Sequence, residues 1–156
     1  YSHLNNPVEG MKYIDAAINL NPFYRGFILQ KGMIYLQTGE KESATNTFQK
    51  ALALSPDDEQ MEVMYSIANC YLYQKEYKET IEWCSKIISD YPNDKLEALI
   101  ISASVYYELG NTEQCLYHLS QAWKINNHTF DDNILKDRRF YSMFSNMDKL
   151  LDKFKE

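Results

Sequence analysis

Apolar residues along the chain recur every three to four positions, and polar breaks interrupt the runs at regular distances. Such spacing predicts amphipathic helices. Between residues 7 and 20, Tyr13, Ile14, Ala17 and Ile18 form one apolar face, and Asn21-Pro22 closes the run. Ile28, Gly32, Tyr35 and Leu36 mark a helix over roughly 23–37, and Ala44, Phe48, Ala51 and Leu52 mark another over 41–54. Thr38-Gly39-Glu40 separates them, with Gly39 free to take the left-handed conformation that ends a helix. Asn21 and Pro22 suit the cap and first position of the helix that follows them. Ser55-Pro56-Asp57-Asp58-Glu59 is a second such start, with a capping serine, a proline and three acids at the positive end of the helix dipole. The helix it opens should begin early and reach about Gln74. A partner over 77–90 turns Ile81, Cys84, Ile87 and Ile88 inward, and two more helices follow over 95–108 and 112–125. No strand pairing is expected.

The polar stretch Asn126 to Asn133 breaks this rhythm, and the secondary structure of Asp132 to Arg139 is left open. From Asp137, a candidate cap, Phe140, Met143, Phe144, Met147, Leu150, Leu151 and Phe154 make one helical stripe.

The breaks are periodic. Pro22 and Pro56 lie 34 residues apart, Pro56 and Pro92 lie 36 apart, and Gly39 and Gly110 lie 71 apart, about two periods. A fixed period of this length marks a stacked helical array. Gly32, Tyr35, Gly39, Ala44, Phe48, Ala51 and Pro56 resemble the tetratricopeptide repeat at nearly every signature position. Ala68, Tyr71, Tyr77 and Pro92 carry the resemblance in the next copy, which departs at Lys75, Thr80, Cys84 and Ile87. Leu99, Ala103, Tyr106, Gly110 and Ala122 carry it in the third, with Cys115 and Leu119 as substitutes and Asn127 where proline is expected. The resemblance implies an all-α fold: a right-handed superhelix of stacked antiparallel helix pairs with a C-terminal capping helix. Residues 1–156 read as one domain, with a partial repeat over 7–22, full repeats over 25–58, 61–94 and 96–129, and the capping helix over 137–156. The alternative for that last helix is docking on another chain.

Composition narrows the function. A net charge of −6 and the lack of any basic run argue against nucleic-acid binding, which needs clustered Lys and Arg. No stretch of 18 apolar residues is present, so no membrane span is expected. The pattern opens inside a repeat, so the chain reads as a fragment of a longer protein. A missing leader then says little about compartment, with a slight balance toward the cytoplasm. Cys70, Cys84 and Cys115 have no metal-ligand spacing and read as small buried apolar residues. His3, His118 and His128 are isolated, and no glycine-rich phosphate loop exists. Glu76, Glu79 and Glu82 alternate with Lys75, Lys78 and Lys86 as a solvated helix face does. No catalytic residue, metal site or cofactor is expected, and the protein reads as a non-enzyme.

In tetratricopeptide arrays the first helix of each pair lines the concave side. Carried onto this chain, the resemblance implies the inward positions Gly26, Leu29, Met33, Leu36 and Gln37, then Glu62, Tyr65, Asn69, Leu72 and Tyr73, then Glu97, Ile100, Ser104, Tyr107 and Glu108. Of these, Leu29, Met33, Tyr65, Asn69, Tyr73, Ile100 and Tyr107 are the candidate partner-binding residues, and Leu36, Leu72 and Tyr107 have the alternative of packing between helices. Family members that clamp the acidic tail of heat-shock chaperones use Lys, Arg and Asn there. Only Asn69 matches, so the carboxylate-clamp class is disfavoured. The expected partner is a protein or peptide with apolar anchors and neutral or basic flanks, held by an interaction scaffold in its concave groove. The alternative is a structural appendage of a larger enzyme, sensor or lipoprotein that packs on its own chain.

If Asp137 to Glu156 covers the last repeat, a chain ending at Asn133 should aggregate or melt earlier, because arrays need their end faces covered. A monomer with an unchanged thermal melt would remove the capping role and leave the docking one.

Overall fold

The computed structural model describes residues 6–125. Among the described residues are seven α-helices and no strand: α1 (Pro7–Leu20), α2 (Arg25–Gln37), α3 (Lys41–Ala53), α4 (Gln60–Tyr73), α5 (Tyr77–Asp90), α6 (Leu96–Glu108) and α7 (Thr112–Ile125). The expected capping helix, the bend before it, His3 and His128 lie outside the described residues. The chain divides into two compact units, Tyr1–Trp83 and Cys84–Glu156, and the division falls within α5.

Local chemistry explains where the helices start and stop. Asn6 caps α1 by accepting from the Glu9 N–H at 3.3 Å, and Pro7 takes the first helical position, where its missing N–H is harmless. Two expected starts are realised differently. Asn21 does not cap α2; its own N–H donates to the Ala17 carbonyl at 3.0 Å and closes α1. Pro22 instead fits the second position of a turn closed by the Tyr24 N–H on the Asn21 carbonyl, at 3.3 Å, so α2 starts only at Arg25. Ser55 likewise looks backward. Its hydroxyl is buried and donates to the Ala51 carbonyl at 2.8 Å, and Asp57–Glu59 form a 3-10 turn ahead of α4. The longer 36-residue proline interval holds this turn and helices α4 and α5 of 14 residues each, where α2 and α3 have 13.

The three helix-pair turns share one geometry. After α2 the Glu40 N–H reaches the Tyr35 carbonyl at 2.8 Å; after α4 Glu76 reaches Tyr71 at 2.9 Å; after α6 Asn111 reaches Tyr106 at 2.8 Å. Each needs one left-handed residue. Gly39 and Gly110 supply it with φ of +81° and +70°, but Lys75 adopts +59° with a full side chain.

In the first unit, Ile28, Leu36, Ala44, Phe48, Ala51, Val63, Ile67 and Tyr71 form one core. Gly32 is buried at the crossing of α2 and α3, where a Cβ would strike the Phe48 ring. Phe48 meets Tyr71 edge to face at 5.3 Å, and the Tyr71 hydroxyl hydrogen-bonds Thr45 at 2.9 Å, so α3 and α4 are locked together. The second unit has its own core of Leu99, Ala103, Cys115, Leu119 and Ala122 between α6 and α7, with Ile88 packed against it. The departures from the repeat pattern in α5 are absorbed: Cys84 and Ile87 are fully buried, and the buried Thr80 hydroxyl donates to the Glu76 carbonyl at 2.9 Å.

Glycine at position 75 would remove the left-handed penalty of roughly 1–2 kcal/mol, less its own loss of backbone freedom. Lys75→Gly is therefore expected to raise stability by about 1 kcal/mol, read as a higher urea midpoint with an unchanged slope. A midpoint that stays put or falls would contradict the strain at this turn.

Candidate functional site

Helix α4 buries one face and presents the other. Val63, Met64, Ile67, Ala68 and Tyr71 face the interior. Residues four apart on a helix share a stripe, so Tyr65, Asn69 and Tyr73 run along the opposite side. Tyr73 is 74% exposed, Asn69 is exposed and Tyr65 is half-buried. Leu29 and Met33 lie on the adjacent α2, both half-buried, and Leu29 also packs against the first core. The Gln74 amide donates to the Met33 sulfur at 3.5 Å across the two helices. These five candidates therefore share neighbouring helices of one unit. Ile100 and Tyr107 lie on α6 of the second unit; Ile100 packs against that unit's core, while Tyr107 is 37% exposed. Two inward positions turn out to be interior. Leu36 is 6% exposed and belongs to the first core, and Ser104 is buried with its hydroxyl unpaired among the described residues.

A cleft of about 400 Å³ opens at the N-terminal ends of α2 and α4. Phe23, Tyr24, Leu29, Glu59, Glu62 and Ser66 line it. Of these only Leu29 is among the candidate contact residues. The sequence hides Phe23 and Tyr24 because residues 21–24 look like a helix start, which would wind both rings into α2. The turn at Pro22 leaves Phe23 74% exposed instead. Arg25 forms an ion pair with Glu59 at the rim of this cleft.

Sequence and structure comparisons place the chain among helical-repeat proteins. The sequence model of the family described as "Anaphase-promoting complex, cyclosome, subunit 3", a tetratricopeptide-type repeat family, matches residues 37–122, more than half of the chain. No curated protein matches the chain by sequence. The fold is similar to the solved structure described as "MamA RS-1 ArsTM double mutant", with a TM-score of 0.52 and 18% identity over 94% of this chain and 86% of that one. It is similar also to "Crystal structure of MamA", with a TM-score of 0.52 and 15% identity over 94% of this chain and 90% of that one. At such identities the likeness concerns the fold, that of a tetratricopeptide-like helical solenoid.

The reactive groups are turned to packing. Burial pushes the Cys70 and Cys115 thiols up to about 11. It pushes Cys84 up to about 12, opposed in part by a hydrogen bond with Ser102. His118 sits between Tyr106 and Tyr117, with ring centroids at 5.1 and 5.3 Å, and its Nδ1 lies 2.9 Å from the Gln114 carbonyl oxygen. No group of three or more metal-ligating side chains occurs among the described residues, and no described helix is long and apolar enough to cross a membrane. Tetratricopeptide-type families are generally non-catalytic interaction modules.

The raised thiol values give a sign. The folded chain holds three protons that the unfolded chain releases above about 9. Stability should hold below pH 9 and fall as pH rises toward 11–12. At pH 8 an aromatic disulfide reagent should label the native thiols slowly and all three at once in urea. A rapidly labelled native thiol would contradict this and mark a reactive cysteine.

Proposed function

The chain belongs to this tetratricopeptide-type repeat family, and on that premise we propose that it is a protein-interaction scaffold holding a peptide or helix of another protein on its first helices. The observation that carries this reading is the outward stripe of α4, where an exposed tyrosine and asparagine stand in line while the opposite face is spent on the core. Stability gives no reason to leave Tyr73 in water. A surface tyrosine offers a large apolar ring with few rotamers to freeze, plus a hydroxyl that orients the contact. Asn69 both donates and accepts, as recognition of a peptide backbone requires.

The partner contacts in this reading are Leu29, Met33, Tyr65, Asn69 and Tyr73 in the first unit and Ile100 and Tyr107 in the second. In a tetratricopeptide array these positions belong to the concave groove. Acidic side chains at Glu62, Glu97 and Glu108 favour a segment that is apolar at its anchors and neutral or basic at its ends. An acidic chaperone tail does not suit this surface, because none of the candidate contacts is a Lys or Arg. No catalytic role is assigned.

A partner recovered by pull-down with the intact protein should bind more weakly to Tyr65→Ala or Tyr73→Ala by roughly 1–3 kcal/mol each, mainly through faster dissociation. The helical circular-dichroism spectrum should stay intact. Unchanged binding by the double variant would move the functional surface elsewhere.

A further inference from the structure

The cleft at the start of α2 and α4 has walls of two kinds. One wall is aromatic. Tyr24 stands edge to face with Phe27 at a centroid distance of 4.6 Å and packs against the start of α2 at Gly26. A Cβ at Gly26 would come within 2.7 Å of the Tyr24 ring, so the missing side chain is what lets the ring settle there. Phe23 stands beside it, largely in solvent. The other wall carries Glu59, Glu62 and Ser66, with Leu29 and Val63 also lining the cleft.

The charges of the cleft do not cancel. Arg25 is satisfied by Glu59, whereas the exposed Glu62 carboxylate has no cationic partner among the described residues. An incoming anion would meet Glu62 and would have to displace Glu59 from Arg25.

We propose that this cleft is a subsite for a basic side chain, arginine above lysine, of the segment bound along α2 and α4. The guanidinium would stack on the Phe23 and Tyr24 rings and donate to the Glu62 carboxylate, and its aliphatic stem would lie against Leu29. Arginine fits better because its planar, weakly hydrated head stacks on aromatic faces and donates through several N–H groups at once. The subsite rests on the scaffold reading above and shares Leu29 and Glu62 with it, but its aromatic wall of Phe23 and Tyr24 is not part of that reading.

The test is to pan a random linear peptide library against the intact protein. Enriched peptides should carry an arginine, or less often a lysine, at a fixed distance from an apolar residue. Their affinity should fall roughly fivefold or more with Glu62→Gln and with Phe23→Ala. It should not change with Glu82→Gln on the exposed side of α5. Thermal melts of each variant separate lost binding from lost folding. Peptides without a basic residue, or peptides indifferent to Glu62→Gln, would overturn the subsite; if they still depend on Tyr65 and Tyr73, the scaffold reading stands. Peptides that need Glu62 but ignore both tyrosines would support the subsite and overturn the placement of the groove. A library yielding no binder at all would overturn both.

Discussion

The first unit depends on the fit of the Phe48 ring into the space where Gly32 has no side chain. That fit lets α2 and α3 approach closely enough to bury Phe48 completely. Burying a phenylalanine contributes about 1.5–3 kcal/mol, and the edge-to-face contact with Tyr71 adds roughly 0.5–1.5 kcal/mol. The same ring therefore fixes two relationships, α2 against α3 and α3 against α4. With Tyr71 held inward by Phe48 and by Thr45, the rotation of α4 about its axis is set. Its opposite stripe of Tyr65, Asn69 and Tyr73 must then face outward. The orientation of the surface proposed for binding is thus a consequence of the core.

Ion pairs connect separate elements in the same unit. Lys31 on α2 reaches Asp15 on α1 at 2.7 Å, Arg25 pairs with Glu59, and Lys41 at the start of α3 pairs with Glu76 ahead of α5. The hydrogen bonds with Asp15 and Glu76 raise the pKa of Lys31 and Lys41. Water screens such surface pairs, so each contributes less than one buried aromatic ring. Their role is alignment: each joins an element to the one that packs beside it. The Arg25 pair has a second effect, since it neutralises a cation at the mouth of the cleft and leaves the local charge to Glu62.

Much of this is legible in the residues. The helix pairs follow from apolar spacing, the turns from Gly39 and Gly110, and the close crossing from the small Gly32 at a signature position, although its partner Phe48 is shown only by the structure. The α4 stripe follows because a period of four sets Tyr65, Asn69 and Tyr73 on one side. What cannot be read are competitions between near-equal local choices. Ser55 and Asn21 have the chemistry of helix caps, but each sits at a junction where it can also close the helix behind it, and it does. Lys75 is visible as a departure from glycine, but not that the chain keeps the left-handed turn regardless. The cleft at Phe23 and Tyr24 stays hidden because its aromatic wall depends on where α2 begins, and boundaries are set by such junctions. Leu36 follows the alternative its position left open: the repeat places it among the inward residues, and the core claims it.

The central claim is that partners meet the outward stripe of the first helices and not the second helices. Site-specific photocrosslinking in cells tests it whatever the partner is. A benzophenone-bearing phenylalanine would replace Tyr73 on α4 or, in a separate protein, Tyr117 on α7, two tyrosines that are 74% and 52% exposed. The account predicts a discrete protein adduct from position 73 and none from position 117. An adduct from position 117 alone would contradict it.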